Sequence, residues 1–191
     1  MSDDLSNGYE AIADDYMSVR SDIGKGVVRR WARQLSSGGS VIDLGAGSGE
    51  PITSILVEEG LEVFAIDASP TMVAAFKRRF PEIEIACEPV EASPFFNRRF
   101  DGVLAVGLMF LLTPEEQEAL IAKMAGALKH GGRVLFSASH QICTWDDVMT
   151  GQQSQSLGRA EYIKLLMQNG FVLRGEYDDE GGNHYYDAQL A

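Results

Sequence analysis

Residues 41–51 read VIDLGAGSGEP, and this stretch decides the fold. The largely apolar run from Val41 to Leu44 predicts a buried strand, and the glycines that follow at every second position predict a tight turn into a helix. Such a turn lets the backbone approach a nucleotide cofactor closely at the carboxyl edge of a parallel sheet. Asp67 comes 20 residues after Gly47, at the end of the next predicted strand, where its carboxylate can bind both hydroxyls of a ribose. Together these features predict a nucleotide-binding site.

The residue at position 50 indicates which nucleotide is bound. A dinucleotide site has the spacing GxGxxG and holds pyrophosphate at the start of the helix. In this chain Glu50 occupies the place of the last glycine, and its carboxylate would repel a pyrophosphate. S-adenosylmethionine (SAM) has no phosphate and carries a sulfonium and an ammonium, which an acidic site accommodates. Charge therefore favours SAM over NAD, and the chain also lacks a Tyr-x-x-x-Lys pair for hydride transfer.

Short apolar segments alternate with helical patterns along the chain, which is typical of βαβ units around a parallel sheet. The strands are predicted at residues 41–44, 63–66, 83–86, 103–106 and 133–137. The helices are predicted at 51–59, 70–80, 114–128 and 158–169, with two more between 9 and 35 and a closing hairpin at 171–177 and 184–189. We expect one compact domain, in which residues 1–36 form a helical cap on a unit of residues 37–191.

Composition excludes several classes of partner. The 191 residues carry a formal net charge of −12, with 45% hydrophobic and 23% charged residues. An acidic chain repels phosphate backbones and anionic lipids, so we expect neither nucleic acid nor a membrane as partner. No apolar run reaches the roughly 18 residues of a membrane span, and the acidic start is unlike a secretory signal. Cys87 and Cys143 lie far apart and predict free thiols, so a cytoplasmic location and no metal site are expected.

Four segments of the chain resemble successive motifs of the class I SAM-dependent methyltransferases. They are VIDLGAGSGEP (41–51), AIDASPTMV (65–73), FDGVLAVGLMFLL (100–112) and LKHGGRVLFSAS (128–139). The resemblance implies a Rossmann-like α/β fold, a three-layer sandwich around a seven-stranded, mostly parallel sheet whose last strand is antiparallel. It also implies SAM as cofactor and methyl transfer as the activity.

The resemblance implies that the loop after the first strand lies under the methionine part of SAM. The loop residues concerned are Gly45, Ala46, Gly47 and Gly49. The carbonyl of Gly45 would accept from the ammonium, and Asp43 would support the loop. Tyr9, Tyr16 and Arg20 resemble a Y-x(6)-Y-x(3)-R segment that covers the cofactor in many members acting on small molecules. The alternative for these three is a helix that only packs on the sheet.

The resemblance also assigns the adenosine end of the cofactor. Asp67 would bind the ribose, and Ala68 and Met72 would pack against the adenine. Residues 88–92, EPVEA, stand where the family often shows an aspartate followed by a small residue, so this chain departs from the pattern there. Val90 and Glu91 are the expected contacts, although either Glu88 or Glu91 can be the one that takes the adenine amino group. Val106, at the end of the fourth predicted strand, completes the set.

Methyl transfer from a sulfonium is an in-line displacement, which requires an aligned acceptor and the exclusion of water more than a catalytic triad. The candidate catalytic groups are His140, His184 and Tyr186. Their alternatives are a surface histidine at 140 and a charged turn followed by ordinary strand residues at 184–186. In an alternating strand, His184 and Tyr186 would face one side and Tyr185 the other.

Two further segments bear on the acceptor. Residues 107–110, GLMF, are apolar and would form either an apolar acceptor surface or part of the core. The polar residues 144–158 would form either a mobile flap over the substrate or a connecting excursion. We expect a small-molecule methyl acceptor and a monomer or homodimer. The alternatives are a protein methyltransferase and a regulatory module that binds SAM or S-adenosylhomocysteine (SAH) without turnover.

Overall fold

The computed structural model describes residues 4–191 and contains a seven-stranded sheet with helices on both faces. The helices are α1 (Ala13–Val19), α2 (Lys25–Ala32), α3 (Ile52–Glu58), α4 (Pro70–Arg79), α5 (Pro114–Ala127) and α6 (Arg159–Gln168). The strands are β1 (Ser40–Leu44), β2 (Glu62–Asp67), β3 (Glu84–Cys87), β4 (Phe100–Ala105), β5 (Leu128–Ser137), β6 (Ile142–Asp146), β7 (Gln153–Leu157), β8 (Phe171–Asp178) and β9 (His184–Leu190). Short 3₁₀ turns lie at Glu10–Ile12, Phe95–Asn97 and Met109–Leu111.

The sheet has the strand order β3-β2-β1-β4-β5-β9-β8. The pairings among β1 to β5 are parallel, whereas β9 runs antiparallel to both β5 and β8. The predicted fold, with a mostly parallel sheet and a reversed last strand, is therefore confirmed. The strand order reverses at the centre of the sheet, because β2 and β3 lie on one side of β1 and β4 and β5 lie on the other. At such a point the carboxyl ends of β1 and β4 flank a crevice where a ligand can bind.

Alternating side chains divide the core into two layers, one on each face of the sheet. Val41 and Leu104 point toward α2 and α3, where Trp31 is fully buried. Their neighbours Ile42 and Val103 point the other way, toward α5 and α6. Because both faces are covered by helices, the central strands are apolar on both sides, which is the pattern that parallel sheets require.

The same alternation orients the last strand as predicted. Tyr185 packs with the α2–α3 layer, whereas Tyr186 packs with the α5–α6 layer, stacked on Phe136 at a ring-centroid distance of 5.0 Å. Because neighbouring residues of a strand face opposite sides of the sheet, Tyr185 and not Tyr186 lies on the side of the crevice.

Two predictions about local structure are corrected. Strand β5 begins at Leu128, directly after α5, and so starts before the predicted strand at 133–137 and includes Gly131, which has a φ of +77°. The polar segment 144–158, for which no strand was predicted, forms most of a two-stranded antiparallel hairpin of β6 and β7. The sequence did not predict this hairpin, because its inner face is built from Ser154 and Ser156 and not from the alternating apolar side chains that indicate a strand. In the described range 4–191, no helix has the length and apolar character of a membrane span.

Candidate active site

The glycine loop after β1 is fixed to the end of β2 by backbone hydrogen bonds. The N–H groups of Gly45 and Ala46 both donate to the carbonyl of Ile66, at 2.8 and 3.0 Å. The N–H of Gly47 donates to Oδ2 of Asp67 at 2.7 Å, and the N–H of Ser69 donates to its Oδ1 at 2.8 Å. The acid and the loop thus form one rigid unit at the carboxyl edge of the sheet.

The glycines of this loop have different surroundings. Gly47 has a φ of +57°, and the nearest atom that a Cβ there would meet is Sδ of Met72 at 4.0 Å, so its open side faces a cavity. A Cβ on Gly49 would instead collide with the rings of Phe76 on α4 and of Phe80 directly after it. Gly49 is therefore needed for packing between the loop and α4, and its expected contact with the cofactor stays a prediction.

A cavity of about 280 Å³ lies over this unit, between the carboxyl ends of the strands and the N-terminal segment. The predicted cofactor residues that line it are Tyr16, Arg20, Gly45, Gly47, Asp67, Ala68, Met72, Val90, Glu91 and Val106. Asp43 and Ala46 line an adjacent cleft of about 30 Å³, to which Tyr16 and Arg20 also contribute. Of the two acids left open near the adenine position, Glu91 lines the cavity and Glu88 does not.

Two carboxyl groups, those of the partly exposed Asp67 and the buried Asp43, lie beside the loop. Burial raises the pKa of Asp67 above its ordinary value, although the N–H groups of Ser69 and Gly47 oppose this. Asp43 is 2% exposed and accepts a hydrogen bond from the hydroxyl of Thr53 at 2.8 Å. Burial raises the pKa of Asp43 to about 7, against the hydrogen bond from Thr53, which lowers it. Because burial disfavours the charged form of both groups, a cationic ligand group nearby would stabilise their carboxylates.

The N-terminal segment covers the cavity and is attached on three sides. The amide of Asn7 donates to the carbonyl of Leu111 at 3.1 Å, and the hydroxyl of Tyr9 donates to Oδ2 of Asp147 at 3.3 Å. The carboxylate of Glu10 accepts from the hydroxyl of Ser69 and, at 2.7 Å, from that of Thr71. Thr71 lies in the first turn of α4, and its backbone N–H also donates to Glu10, at 3.1 Å. Glu10 therefore caps the start of α4, although the two residues are 61 positions apart in the chain.

Arg20 supplies a positive charge at the edge of the cavity. Its guanidinium lies 5.9 Å from the ring centre of Tyr16. Within the part of the chain that the structure describes, Arg20 forms no ion pair, whereas Arg29 and Arg33 on α2 pair with Glu59. A cation that lines a cavity without a partner is available to bind a carboxylate of a ligand.

The other part of the cavity is mostly apolar. Its lining residues beyond the cofactor set include Leu5, Ile23, Leu108, Phe110, Leu111 and Leu112. Phe110 also packs on Trp145 of β6, at 5.6 Å between ring centres. The two alternatives for residues 107–110 thus apply to different members: Gly107, Leu108 and Phe110 line the cavity, while Met109 is buried in the core.

None of the three candidate catalytic residues lines the cavity. His184 lies between Oδ1 of Asp178 and Oε1 of Glu176, at 2.7 and 3.2 Å, with its ring 5.5 Å from that of His140. Tyr186 is fully buried in the α5–α6 layer. The expected placement of His140, His184 and Tyr186 at the acceptor pocket is therefore corrected: strand alternation in β9 turns His184 and Tyr186 away from Tyr185, and His140, in the loop after β5, lies beside His184.

Tyr185 and Asn183 occupy the place that was expected for these groups, and both line the cavity together with Ser137. Sequence reasoning missed them, although the alternation argument already separated Tyr185 from its neighbours. The missing information was which face of the sheet the cavity opens on, and that depends on contacts with the N-terminal segment.

Comparison with known proteins gives the following matches. Residues 41–132 match the family described as "Methyltransferase domain". The chain is 27% identical over 157 residues to a demethylmenaquinone methyltransferase of Paenarthrobacter aurescens, covering 78% of this chain and 60% of that protein. It is 33% identical over 94 residues to an uncharacterized methyltransferase of Mycobacterium bovis, covering 49% of this chain and 37% of that protein. The chain thus spans at most about 60% of these curated relatives.

Solved structures share the fold over nearly the whole chain. A 1,6-didemethyltoxoflavin N1-methyltransferase of Burkholderia thailandensis, with bound SAH, superposes with a TM-score of 0.78 at 20% identity, covering 98% of this chain and 87% of that one. A magnesium protoporphyrin IX methyltransferase of Synechocystis, with bound SAM, superposes with a TM-score of 0.77 at 16% identity, covering 100% of this chain and 99% of that one. At these identities the likeness establishes the architecture alone.

Proposed function

We propose that this chain, whose residues 41–132 match the methyltransferase domain family, is a class I SAM-dependent methyltransferase and that it transfers the methyl group of SAM to a small-molecule acceptor held in the cavity. The observation that carries the proposal is that one cavity joins the glycine loop, Asp67 and Arg20 to an apolar compartment. The first part suits the cofactor and the second suits an acceptor.

The residues at one end of the cavity fit the methionine part of SAM. Arg20 offers a cation for the carboxylate, and the carboxyl of Asp43, whose pKa burial raises to about 7, would be drawn to its charged form by an ammonium in the adjacent cleft. The open side of Gly47 leaves room that any side chain would fill. These features make up a site for a zwitterionic amino-acid group, which needs one partner of each sign.

The residues at the end of β2 fit the adenosine part. Each carboxylate oxygen of Asp67 accepts one backbone N–H and keeps a further lone pair, so two ribose hydroxyls can donate to it. Met72 and Val90 supply apolar surface for the adenine ring, and Glu91 can accept from its amino group. Glu50, which forms an ion pair with Arg79 at 3.4 Å, places a carboxylate where a dinucleotide would need its pyrophosphate.

The size of the cavity and the segment that crosses it favour a small acceptor. The N-terminal segment is attached across the cavity by Asn7, Tyr9 and Glu10, and the cavity has a volume of about 280 Å³. This is just below the roughly 300–1,000 Å³ that small-molecule pockets span. The relatives and structural neighbours include methyltransferases named for demethylmenaquinone, 1,6-didemethyltoxoflavin and magnesium protoporphyrin IX, and also one named for a glycopeptide.

In the reaction, the residues of the chain orient the acceptor and exclude water. SAM supplies a methyl group that is already activated by its bond to a cationic sulfur. Leu108 and Phe110 follow β4, where an acceptor would lie against the cofactor, and they exclude water from the line of attack. A general base is needed only where the acceptor must lose a proton before it attacks.

The orientation of the cofactor can be tested with two ligands that differ in their amino-acid part. SAH contains the carboxylate that Arg20 would bind, whereas 5′-methylthioadenosine lacks the whole amino-acid group. We expect Arg20→Met to weaken SAH binding about tenfold or more in calorimetry, the loss of about one charge-assisted hydrogen bond, and to leave 5′-methylthioadenosine binding unchanged. Arg30→Met is the matched control, because Arg30 stacks on Tyr177 outside the cavity. Equal losses for both ligands would contradict this orientation.

The class of acceptor can be tested by transfer of a radiolabelled methyl group from SAM. We expect the label to pass into a small-molecule fraction of a metabolite extract and not into the protein or RNA fractions. Labelled protein would favour a protein acceptor instead. Tight SAH binding with no transfer to any fraction would favour the regulatory alternative.

A further inference from the structure

One wall of the cavity is formed by the turn before β9. Asn183 ends this turn and Tyr185 is the second residue of the strand, and both side chains line the cavity. Gly24, at the start of α2, lies against the phenol, since a Cβ there would be 2.5 Å from the Tyr185 hydroxyl. The cap helix and the turn thus hold the phenol in one position.

The hydrogen of the Tyr185 hydroxyl and one amide hydrogen of Asn183 are already used within the protein. The hydroxyl of Tyr185 donates to Oδ2 of Asp179 at 2.9 Å. The side-chain NH₂ of Asn183 lies 3.1 and 2.9 Å from the two carboxylate oxygens of Asp179 and donates one hydrogen between them. The groups left for a ligand are the phenol oxygen of Tyr185, which can only accept, and the amide oxygen and second amide hydrogen of Asn183.

Asp179 keeps these hydrogens in place. Its carboxylate is 9% exposed and also accepts from the backbone N–H groups of Gly181 and Asn183, both at 2.9 Å. Over residues 4–191, Asp179 forms no ion pair with a Lys, Arg or His, so all its partners are neutral donors. Because a carboxylate only accepts, Tyr185 cannot turn its hydrogen toward the cavity without leaving this buried charge short of a partner.

Like Tyr185, Tyr9 donates its hydroxyl hydrogen to an aspartate, here Asp147 at 3.3 Å, so its oxygen can only accept from a ligand. Ser137 differs, since its hydroxyl accepts from the N–H of Gly107 at 2.8 Å and its own hydrogen stays available. A ligand that reaches Tyr185 therefore meets an oxygen that needs a donor and has a negative charge behind it, while Asn183 and Ser137 beside it can each still donate one hydrogen.

Given the proposed function, we propose that the Asn183–Tyr185 wall, held by Asp179, selects methyl acceptors that present an N–H or O–H group to Tyr185. Ring systems that offer only carbonyl or ether oxygens at this point would leave the phenol oxygen unsatisfied and would bring two acceptors together. Tyr185 is thus a residue that determines specificity for an amine, ring N–H or hydroxyl, and it positions that group relative to the cofactor.

The test compares probes of the same shape that differ in one donor. Indole and benzofuran form one pair, and 2-naphthol and 2-fluoronaphthalene form another. Binding of each to the wild-type protein is measured by ligand-observed NMR titration, with and without SAH. We expect the donor of each pair to bind at least about fivefold more tightly, in line with one satisfied hydrogen bond in a buried site.

Three variants identify the source of this preference. Tyr185→Phe removes the oxygen and should bring the ratio within each pair to about one. Asp179→Asn introduces an amide that can donate to Tyr185 and release its hydrogen toward the cavity, so the ratio should fall or invert. Tyr177→Phe is the matched control: Tyr177 pairs with Tyr185 across the strands but donates to Asp187 at 3.3 Å and does not line the cavity. Its ratio should equal that of the wild-type protein.

The outcomes separate this inference from the proposed function. Equal binding within both pairs, including no binding of any probe, overturns the inference, as does a wild-type ratio in Tyr185→Phe. SAH binding is measured on the same samples, and its loss would overturn the proposed function alone, because the donor preference is also measured without SAH.

Discussion

At the scale of the residue, Gly47 and Gly49 show how much a motif can predict. The spacing of the glycines predicts a strand, a turn and a helix, and all three are present. It does not show which glycine faces a ligand, because that depends on α4, where Phe76 and Phe80 come against Gly49. The motif was therefore readable from the sequence, but the separate roles of its members were not.

Gly47→Ala tests whether the open side of this residue is where the cofactor lies. Gly38→Ala is the matched control, since Gly38 also has a positive φ (+72°) and a Cβ there would also find open space, but it lies in the turn before β1. Both variants should lose about 1–2 kcal/mol of unfolding free energy from left-handed backbone strain. Only Gly47→Ala should weaken SAH binding, by tenfold or more in calorimetry. Equal affinities in the two variants would contradict the placement of the cofactor.

The buried carboxyl of Asp43 should make stability depend on pH. Its pKa is raised from 3.8 to about 7, first by burial, so the folded state holds the proton more tightly than the unfolded state does. The free energy of unfolding should therefore be highest, relative to Asp43→Asn, below about pH 4, and this difference should fall as the pH rises toward 7, by up to about 4 kcal/mol. Urea unfolding of both proteins at several pH values checks this, and a difference that does not vary with pH would contradict it.

At the scale of the element, the N-terminal segment shows where sequence reasoning stops. The resemblance of Tyr9 and Tyr16 to a segment that covers the cofactor implied a cap over the cavity, and in the structure the two rings pack edge to face, 5.3 Å apart. The contact of Glu10 with Ser69 and Thr71 was not predictable, because it joins residues about 60 positions apart and no local pattern reports it. The β6–β7 hairpin was missed for a related reason, since it is held by backbone pairing and buried serines.

Glu10→Ala should release the N-terminal segment without unfolding the protein. Burial pushes the pKa of Glu10 up, but hydrogen bonds from Ser69 and Thr71 outweigh this and the net pKa is lowered, so the carboxylate is charged at neutral pH. We expect faster hydrogen exchange in residues 6–19 and about three- to tenfold weaker SAH binding, the effect of losing about one charge-assisted hydrogen bond.

Glu116→Ala is the control for this variant. Glu116 belongs to the capping box of α5 with Thr113, so its removal also takes a carboxylate from the start of a helix. It should lower stability by about 0.5–2 kcal/mol and leave SAH affinity unchanged. If Glu10→Ala behaved in the same way, Glu10 would be a helix cap only and not an anchor of the segment over the cavity.

At the scale of the whole molecule, the sequence predicted the sheet but not the residues that line the acceptor side of the cavity. Alternating strands and helices, together with the family resemblance, predicted the layers and the reversed last strand. The acceptor side of the cavity is assembled from Leu5, Leu108, Ser137 and Tyr185, which come from four separate parts of the chain. Such an assembly depends on tertiary packing, and for this reason the histidines, which are conspicuous in sequence, were chosen over Tyr185.

The reversed strand should depend on one buried ion pair. Arg133 of β5 binds Asp187 of β9 at 2.6 and 3.2 Å, and Asp187 is fully buried. Arg133→Met should lower the free energy of unfolding by about 3–5 kcal/mol, because it leaves a buried charge without its partner. Lys164→Met, which breaks the exposed pair with Glu161, should cost less than about 1 kcal/mol. Urea unfolding measures the loss in both variants. Similar losses would show that the buried ion pair stabilises the protein no more than the exposed one.

The most direct test of the central claim is a calorimetric titration of the wild-type protein and of Asp67→Ala with SAM, with NAD as the comparison ligand. We predict micromolar SAM binding by the wild-type protein, no NAD binding, and at least tenfold weaker SAM binding by the variant, about 1.4 kcal/mol or more. Absence of SAM binding, NAD binding in its place, or an unchanged affinity in Asp67→Ala would contradict the assignment of the cavity to SAM.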